Sequence, residues 1–134
     1  MRAWGGLEDK SRPIRMELNA RTAMPQAIPP ARIVLTTAAD ADEADRLGRT
    51  LVEERLAACA TLIPGVHSIY RWRGEIESSP ESLLLLKTSP DKVAALEARL
   101  HELHSYQTPE FLVLNVESGS HQYLEWLQSC LRGA

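Results

Sequence analysis

Val66-His67-Ser68-Ile69-Tyr70-Arg71-Trp72-Arg73-Gly74-Glu75-Ile76-Glu77, then Ser78-Ser79-Pro80, then Glu81-Ser82-Leu83-Leu84-Leu85-Leu86-Lys87-Thr88, carries the topology of this chain. The first run is rich in Val, Ile, Tyr and Trp, as a long strand is, and Ser78-Ser79-Pro80 is a turn signal. The four leucines of the last run imply a strand buried on both faces, and the short connection makes the pair an antiparallel hairpin. Twelve residues at about 3.3 Å each reach roughly 40 Å. A domain of about a hundred residues spans only roughly 30–35 Å. The hairpin therefore overhangs its own domain, and an isolated ribbon bearing Tyr70 and Trp72 calls for a neighbouring subunit to cover it.

On the N-terminal side, Arg32-Ile33-Val34-Leu35-Thr36-Thr37 reads as a strand buried on both faces, and Asp40 with Glu43 forms a capping box. Leu47, Leu51 and Leu56 continue at helical spacing to about Ala58, and Pro64-Gly65 breaks or bends the chain after Cys59 to Ile63. On the C-terminal side, Ser89 and Pro90 open a helix whose apolar stripe is Val93, Leu96, Leu100 and Leu103 and which ends near His104. Phe111 to Val116 is a further strand, and Gly119-Ser120 precedes a last helix with Tyr123, Trp126 and Cys130 along one side and Leu124, Leu127 and Leu131 along the other. The order β-α-β-β-α-β plus a C-terminal helix predicts an α+β fold of the ferredoxin-like type over residues 31–134. Residues 1–30 contain Gly5-Gly6, Pro13, Pro25 and Pro29-Pro30 and no sustained apolar period, which predicts a flexible extension. Met16 and Met24 leave a downstream start open.

The chain has 134 residues, 44% of them hydrophobic and 25% charged, which suits one globular domain. Its net charge of −3 is divided unevenly: five basic and three acidic residues lie in 1–30, leaving ten and fifteen in the body. An acidic body argues against nucleic acid as a partner. The longest aliphatic run, Leu83 to Leu86, is far below the roughly 20 residues of a membrane span. Cys59 and Cys130 form no CxxC motif, so a disulfide scaffold and a four-cysteine zinc site are excluded and the cytoplasm is the expected setting. No secretory or transit signal is read in the first thirty residues.

Residues able to carry chemistry are few. His101 and His104 share a helix face with Glu97, a spacing that can ligate a metal but arises far more often by chance. Cys59 reads first as a small core residue, since no base or orienting group is paired with it. Tyr70, Trp72, Lys87, Tyr106, Glu110 and Trp126 are of the types that wall a small-ligand pocket, although interface packing and a surface ion pair are the plainer readings of Trp72, Trp126 and Lys87. GxGxxG, Walker and GxSxG motifs are absent, leaving phosphate cradling and serine hydrolysis without local support.

Several segments together resemble the CutA family of divalent-cation tolerance proteins: Glu54-Arg55-Leu56-Ala57-Ala58-Cys59-Ala60, Ile63-Pro64-Gly65, Ser68 to Ile76, Leu86-Lys87-Thr88, His104-Ser105-Tyr106-Gln107-Thr108-Pro109-Glu110 and Tyr123-Leu124-Glu125-Trp126-Leu127. The resemblance covers about residues 31 to 132. It implies a homotrimer of ferredoxin-like subunits, similar to the PII signalling proteins, with intersubunit ligand clefts, a role in metal-ion tolerance and no enzymatic reaction. The cofactor it implies is copper(II) or another divalent cation, with His104, Glu110 and Cys59 as candidate ligands and Tyr70, Trp72, Lys87, Tyr106 and Trp126 as ligand-binding residues. The alternative is a trimeric scaffold or regulatory module for another protein or a small ligand. Three departures stand out: the family commonly has Pro in place of Ser105, which predicts a more mobile loop here, and some members have Cys for Thr36 and His for Leu103, which thins the metal-ligand set.

Overall fold

The computed structural model describes residues 27–133, so the expected extension over 1–30 lies outside the described residues except for its last four positions. The elements are β1 (Arg32–Ala38), α1 (Ala41–Glu53), β2 (Cys59–Trp72), β3 (Glu75–Thr88), α2 (Val93–Leu103), β4 (Leu112–Asn115) and α3 (His121–Leu131), with a 3-10 turn over Pro90–Lys92 leading into α2. One four-stranded sheet runs β2-β3-β1-β4, with each neighbouring pair antiparallel.

Local chemistry sets most of the boundaries. The Asp40 carboxylate accepts the Glu43 amide at 2.8 Å and starts α1. That helix stops at Glu53, five residues before the expected Ala58, because Arg55 turns left-handed at φ 60. A non-glycine residue there costs roughly 1–2 kcal/mol. The Arg55 guanidinium in turn donates to the Cys130 carbonyl at 3.0 Å and ties the end of α1 to α3. Gly48 is needed where α1 lies on β2, since a Cβ there would stand 3.0 Å from the Ala60 Cβ. Ser120 caps α3 by accepting the Tyr123 amide at 3.3 Å.

The hairpin differs from expectation in its turn. Strands β2 and β3 are each fourteen residues and meet at Arg73-Gly74, where Trp72 faces Glu75 and φ is 50 and 82. Two central residues with positive φ make the tight turn that matches strand twist. Ser78-Ser79-Pro80 instead lies within β3, with Pro80 opposite His67. Strand β1 ends at Ala38 opposite Ser82, so Pro80 sits where the ribbon has lost its third strand and a missing amide donor is tolerated. Pro64-Gly65 forms a bulge: the register shifts between Ile63 and Val66, with Gly65 at φ 74. The ribbon beyond Ala38 overhangs as its length required. Replacing Gly74 with Ala is expected to lower stability by about 1 kcal/mol in urea titration; an unchanged midpoint would contradict the left-handed turn.

Helices α1 and α2 cover one face of the sheet, where Val34, Leu47, Leu51, Leu84, Leu86, Leu96 and Leu100 are fully buried. Each such side chain contributes about 1.5–3 kcal/mol. Burial on both faces, expected for β1 and β3, does not occur within the chain. Leu83, Leu85, Ile33 and Leu35 are only half-buried, because they point to the face opposite α1 and α2. Leu85 and Leu112 flank Leu35 in one cross-strand row, and Leu114 stands beside Ile33. Leu112 and Leu114 are exposed, leaving an apolar sheet face open. Helix α3 packs separately, with Leu124, Leu127 and Leu131 against Ala31 and Ala58. Ile28 joins this cluster and Gln128 donates to the Pro30 carbonyl at 2.7 Å, so packing begins before Ala31.

Candidate functional site

The segment following α2, residues 104–110, is fastened to the sheet and to α1 at four points. The buried His104 ring contacts the Thr37 carbonyl through Nε2 at 2.7 Å, while its Nδ1 lies 3.0 Å from the Tyr106 amide. An amide can only donate, so Nδ1 accepts and Nε2–H donates to Thr37. Next, Glu43 Oε2 accepts the Ser105 amide at 2.8 Å and its Oε1 accepts the Ser105 hydroxyl at 2.9 Å. The Tyr106 hydroxyl donates to Glu81 Oε2 at 2.7 Å. Finally, the buried Thr36 hydroxyl donates to the Glu110 carbonyl.

Ser105 is thus tied down rather than loosened. A proline at that position would lock φ but has no N–H to give Glu43. The mobility expected from the missing proline ring is countered by two hydrogen bonds to one carboxylate. Thr36 likewise has a definite task, holding the backbone at Glu110.

Burial pushes the Glu43 carboxyl up, but the Ala39 amide and both Ser105 donors outweigh it, and the net displacement is below the ordinary carboxylate value. Burial and the bond to Glu81 push the Tyr106 phenol well above its usual range. Glu110 is raised by burial first and by the charge of Glu81 second.

Between this segment and the overhanging ribbon lies an open cleft of about 720 Å³, walled by Tyr70, Trp72 and Tyr106, with Glu77, Glu81 and Glu110 also facing it. Of the expected ligand-binding residues, Tyr70, Trp72 and Tyr106 come together here with Glu110. Trp126 does not join them: it lines a second depression of about 400 Å³ with Cys59, between α1 and β2. Lys87 lies elsewhere too, its Nζ 5.9 Å from the Tyr123 ring centroid. Glu77 and Glu81 were not anticipated. With the turn placed at Arg73-Gly74, Glu77 stands directly opposite Tyr70, and a register drawn from that glycine would have found it.

The candidate metal ligands do not converge. Both ring nitrogens of His104 are engaged, Glu110 faces the cleft and Cys59 lines the other depression, its Sγ 3.9 Å from the Thr61 hydroxyl. Among the described residues, no three His, Cys, Asp or Glu side chains are grouped so as to hold a metal ion. His104, Glu110 and Cys59 therefore do not fit one chelating site within the chain. No described helix is long and apolar enough to cross a membrane.

The architecture and sequence have close parallels. The CutA from Xylella fastidiosa is 40% identical with a TM-score of 0.75, covering 76% of this chain and 98% of that one. The CutA1 from Oryza sativa is 33% identical with a TM-score of 0.76, covering 80% and 98%. In sequence, the divalent-cation tolerance protein CutA of Pectobacterium atrosepticum is 45% identical over 102 residues, 76% of this chain and 93% of the relative. The model of the CutA1 divalent ion tolerance protein family matches residues 32–130, from the first strand through almost all of α3, and the chain belongs to that family.

Proposed function

We propose that this protein serves divalent-cation tolerance as a non-enzymatic, cytoplasmic homotrimer of ferredoxin-like subunits that takes its ligand in the cleft between residues 104–110 and the ribbon. The single observation that carries the ligand reading is the lining of that cleft, in which, among the described residues of the chain, Glu77, Glu81 and Glu110 stand without a basic residue. Such a lining draws cations and repels anions. The trimer reading is supported by the open apolar row Leu85, Leu35 and Leu112 and by the overhanging ribbon, on which Ile69, Trp72 and Ile76 are exposed. Sheet faces of this kind are covered by further protein. The two unpaired cysteines, Cys59 and Cys130, suit a reducing compartment. Absence of catalysis is supported by Cys59, whose Sγ contacts the Thr61 hydroxyl and has no hydrogen bond to a base among the described residues, and by His104, whose ring is committed to structure.

Copper(II) or another divalent cation binds directly but weakly in this reading, because a tight site needs three or four converging groups. Calorimetric titration with copper(II) is expected to give a dissociation constant of about micromolar or poorer, equivalent to roughly −8 kcal/mol or less favourable. Glu110→Gln should weaken that binding. Sedimentation equilibrium of the full chain should give three chains per particle. Nanomolar copper binding, or a stable monomer, would each overturn the corresponding half of the reading. The alternative, a trimeric scaffold for another protein, predicts no change in copper binding with Glu110→Gln.

A further inference from the structure

We propose that α3, together with residues 28–31, is a strap that opens as one unit while the sheet, α1 and α2 stay folded, and that Arg55 is the clasp that holds it shut.

The packing is divided in two. The buried side chains of α3, Leu124, Leu127 and Leu131, gather with Ala31 and Ala58, and none of them belongs to the cluster between the sheet and α1 and α2. Two of these five are alanines, which have little apolar surface to bury, and the side chains around them, Ile28 and Cys130 among them, are only partly covered. A segment with few buried apolar contacts opens at lower cost than the core it lies beside. Residues 28–31 go with the helix, since Ile28 and Ala31 pack into the same cluster and Gln128 donates to the Pro30 carbonyl at 2.7 Å.

Arg55 joins this strap to the end of α1. The last four carbonyls of a helix have no partner within it, and the negative end of the helix dipole favours a cation. Helix α3 carries no basic residue in its own last turn. The Arg55 guanidinium, 75 positions away in sequence, brings one there by donating to the Cys130 carbonyl at 3.0 Å. Its backbone is held left-handed at φ 60, a conformation that side-chain-bearing residues avoid. A glycine would make the same turn without strain, so what the arginine adds is its grip on α3. The mounting is firm, because the adjacent Glu54 is bonded to Arg99 of α2 at 2.9 Å. Near the start of α3 the Lys87 ammonium stands 5.9 Å from the Tyr123 ring centroid, an attraction that is modest at a partly exposed site.

The test is native-state amide exchange of the full chain in its solution assembly, at urea concentrations below the unfolding transition. The amides of α3 should exchange through an opening of their own, about tenfold or more faster than those of β1 and β3 after correction for intrinsic rates. Arg55→Gln keeps the strained turn and Arg55→Gly relieves it. Each should quicken α3 exchange about tenfold further, as expected for the loss of one hydrogen bond from a charged donor. In Arg55→Gly the amides of β1 and β3 should exchange no faster than in the wild type, so one substitution moves the two regions differently. A residue serving the fold as a whole would move them together. Exchange of α3 in step with β1 and β3 in the wild type would overturn the strap. An α3 rate unchanged in both variants, or an equal quickening of every amide in Arg55→Gly, would overturn the clasp.

Discussion

Glu43→Ala is expected to destabilise the protein by about 3 kcal/mol at pH 7 and to release the segment that carries Tyr106 and Glu110, because three donors to a buried charged acceptor lose it together. Those donors are the amide of Ala39 at 3.1 Å, the amide of Ser105 at 2.8 Å and the hydroxyl of Ser105 at 2.9 Å. The first serves α1, and the other two belong to one residue 62 positions away in sequence. Glu43→Gln keeps the shape and should cost about half as much, since neutral acceptors make weaker bonds. The pH dependence has a definite sign. Burial raises the Glu43 pKa, its hydrogen bonds lower it by more, and the folded value lies below the ordinary one. A depressed carboxyl stabilises the fold above the unfolded pKa and ceases to do so as pH falls through the folded pKa. The stability gap between wild type and Glu43→Gln, measured by urea titration, should therefore be full at pH 7 and narrow below about pH 4. A gap of the same size at pH 3 would refute the electrostatic account. Amide exchange at Ser105 and Tyr106 should quicken in both variants, and exchange confined to α1 would mean that Glu43 does not hold the segment.

Leu85→Asp is expected to abolish the proposed three-chain particle while leaving each chain folded. Leu85 lies at the centre of the open face, flanked by Thr61 and by Leu35, with Leu112 beyond. It is half-buried within the chain, while its neighbours Leu84 and Leu86 are fully buried under the helices. A carboxylate at Leu85 would face water in a lone subunit but would be desolvated in an assembly that covers the face, which costs several kcal/mol per interface. Sedimentation should report a shift from three chains to one, with the far-ultraviolet circular dichroism retained. Leu84→Asp is the contrasting variant and should unfold the subunit outright. If Leu85→Asp leaves the assembly intact, the face is not the contact and the subunits meet elsewhere.

The departure at Ser105 shows how a residue can be read correctly for its backbone and still be misjudged. Loss of a proline does free one φ angle. The compensation is carried by Glu43, whose position three residues after Asp40 identifies a helix start and gives no hint of a second task. Its carboxylate reaches the Ala39 amide and the Ser105 donors rather than the Asp40 amide of a simple capping box. A long side chain at a helix start can serve whatever the fold brings near it.

Features that are local or periodic were legible in the residues alone. The order of strands and helices follows from the change between alternating and 3.6-residue patterns, and the starts of α1 and α3 follow from Asp40 and Ser120, whose side chains bond amides three residues on. The overhang of the ribbon follows from its length alone, and the family follows from an ordered set of short segments. The remainder came from how the elements pack. Pairing register moved the turn from Ser78-Ser79-Pro80 to Arg73-Gly74, since a proline is tolerated once the third strand has ended at Ala38. The sheet order and the placing of both helices on one face split the four leucines into two that are covered and two that are not. Three-dimensional proximity likewise set Glu81 and Glu110 beside Tyr70 and Trp72, and kept Cys59, Lys87 and Trp126 away from them. Patterns along a chain report which face a residue takes, because neighbours in sequence share one backbone geometry. Which distant face it then meets is settled by packing, and that is where the cleft is made.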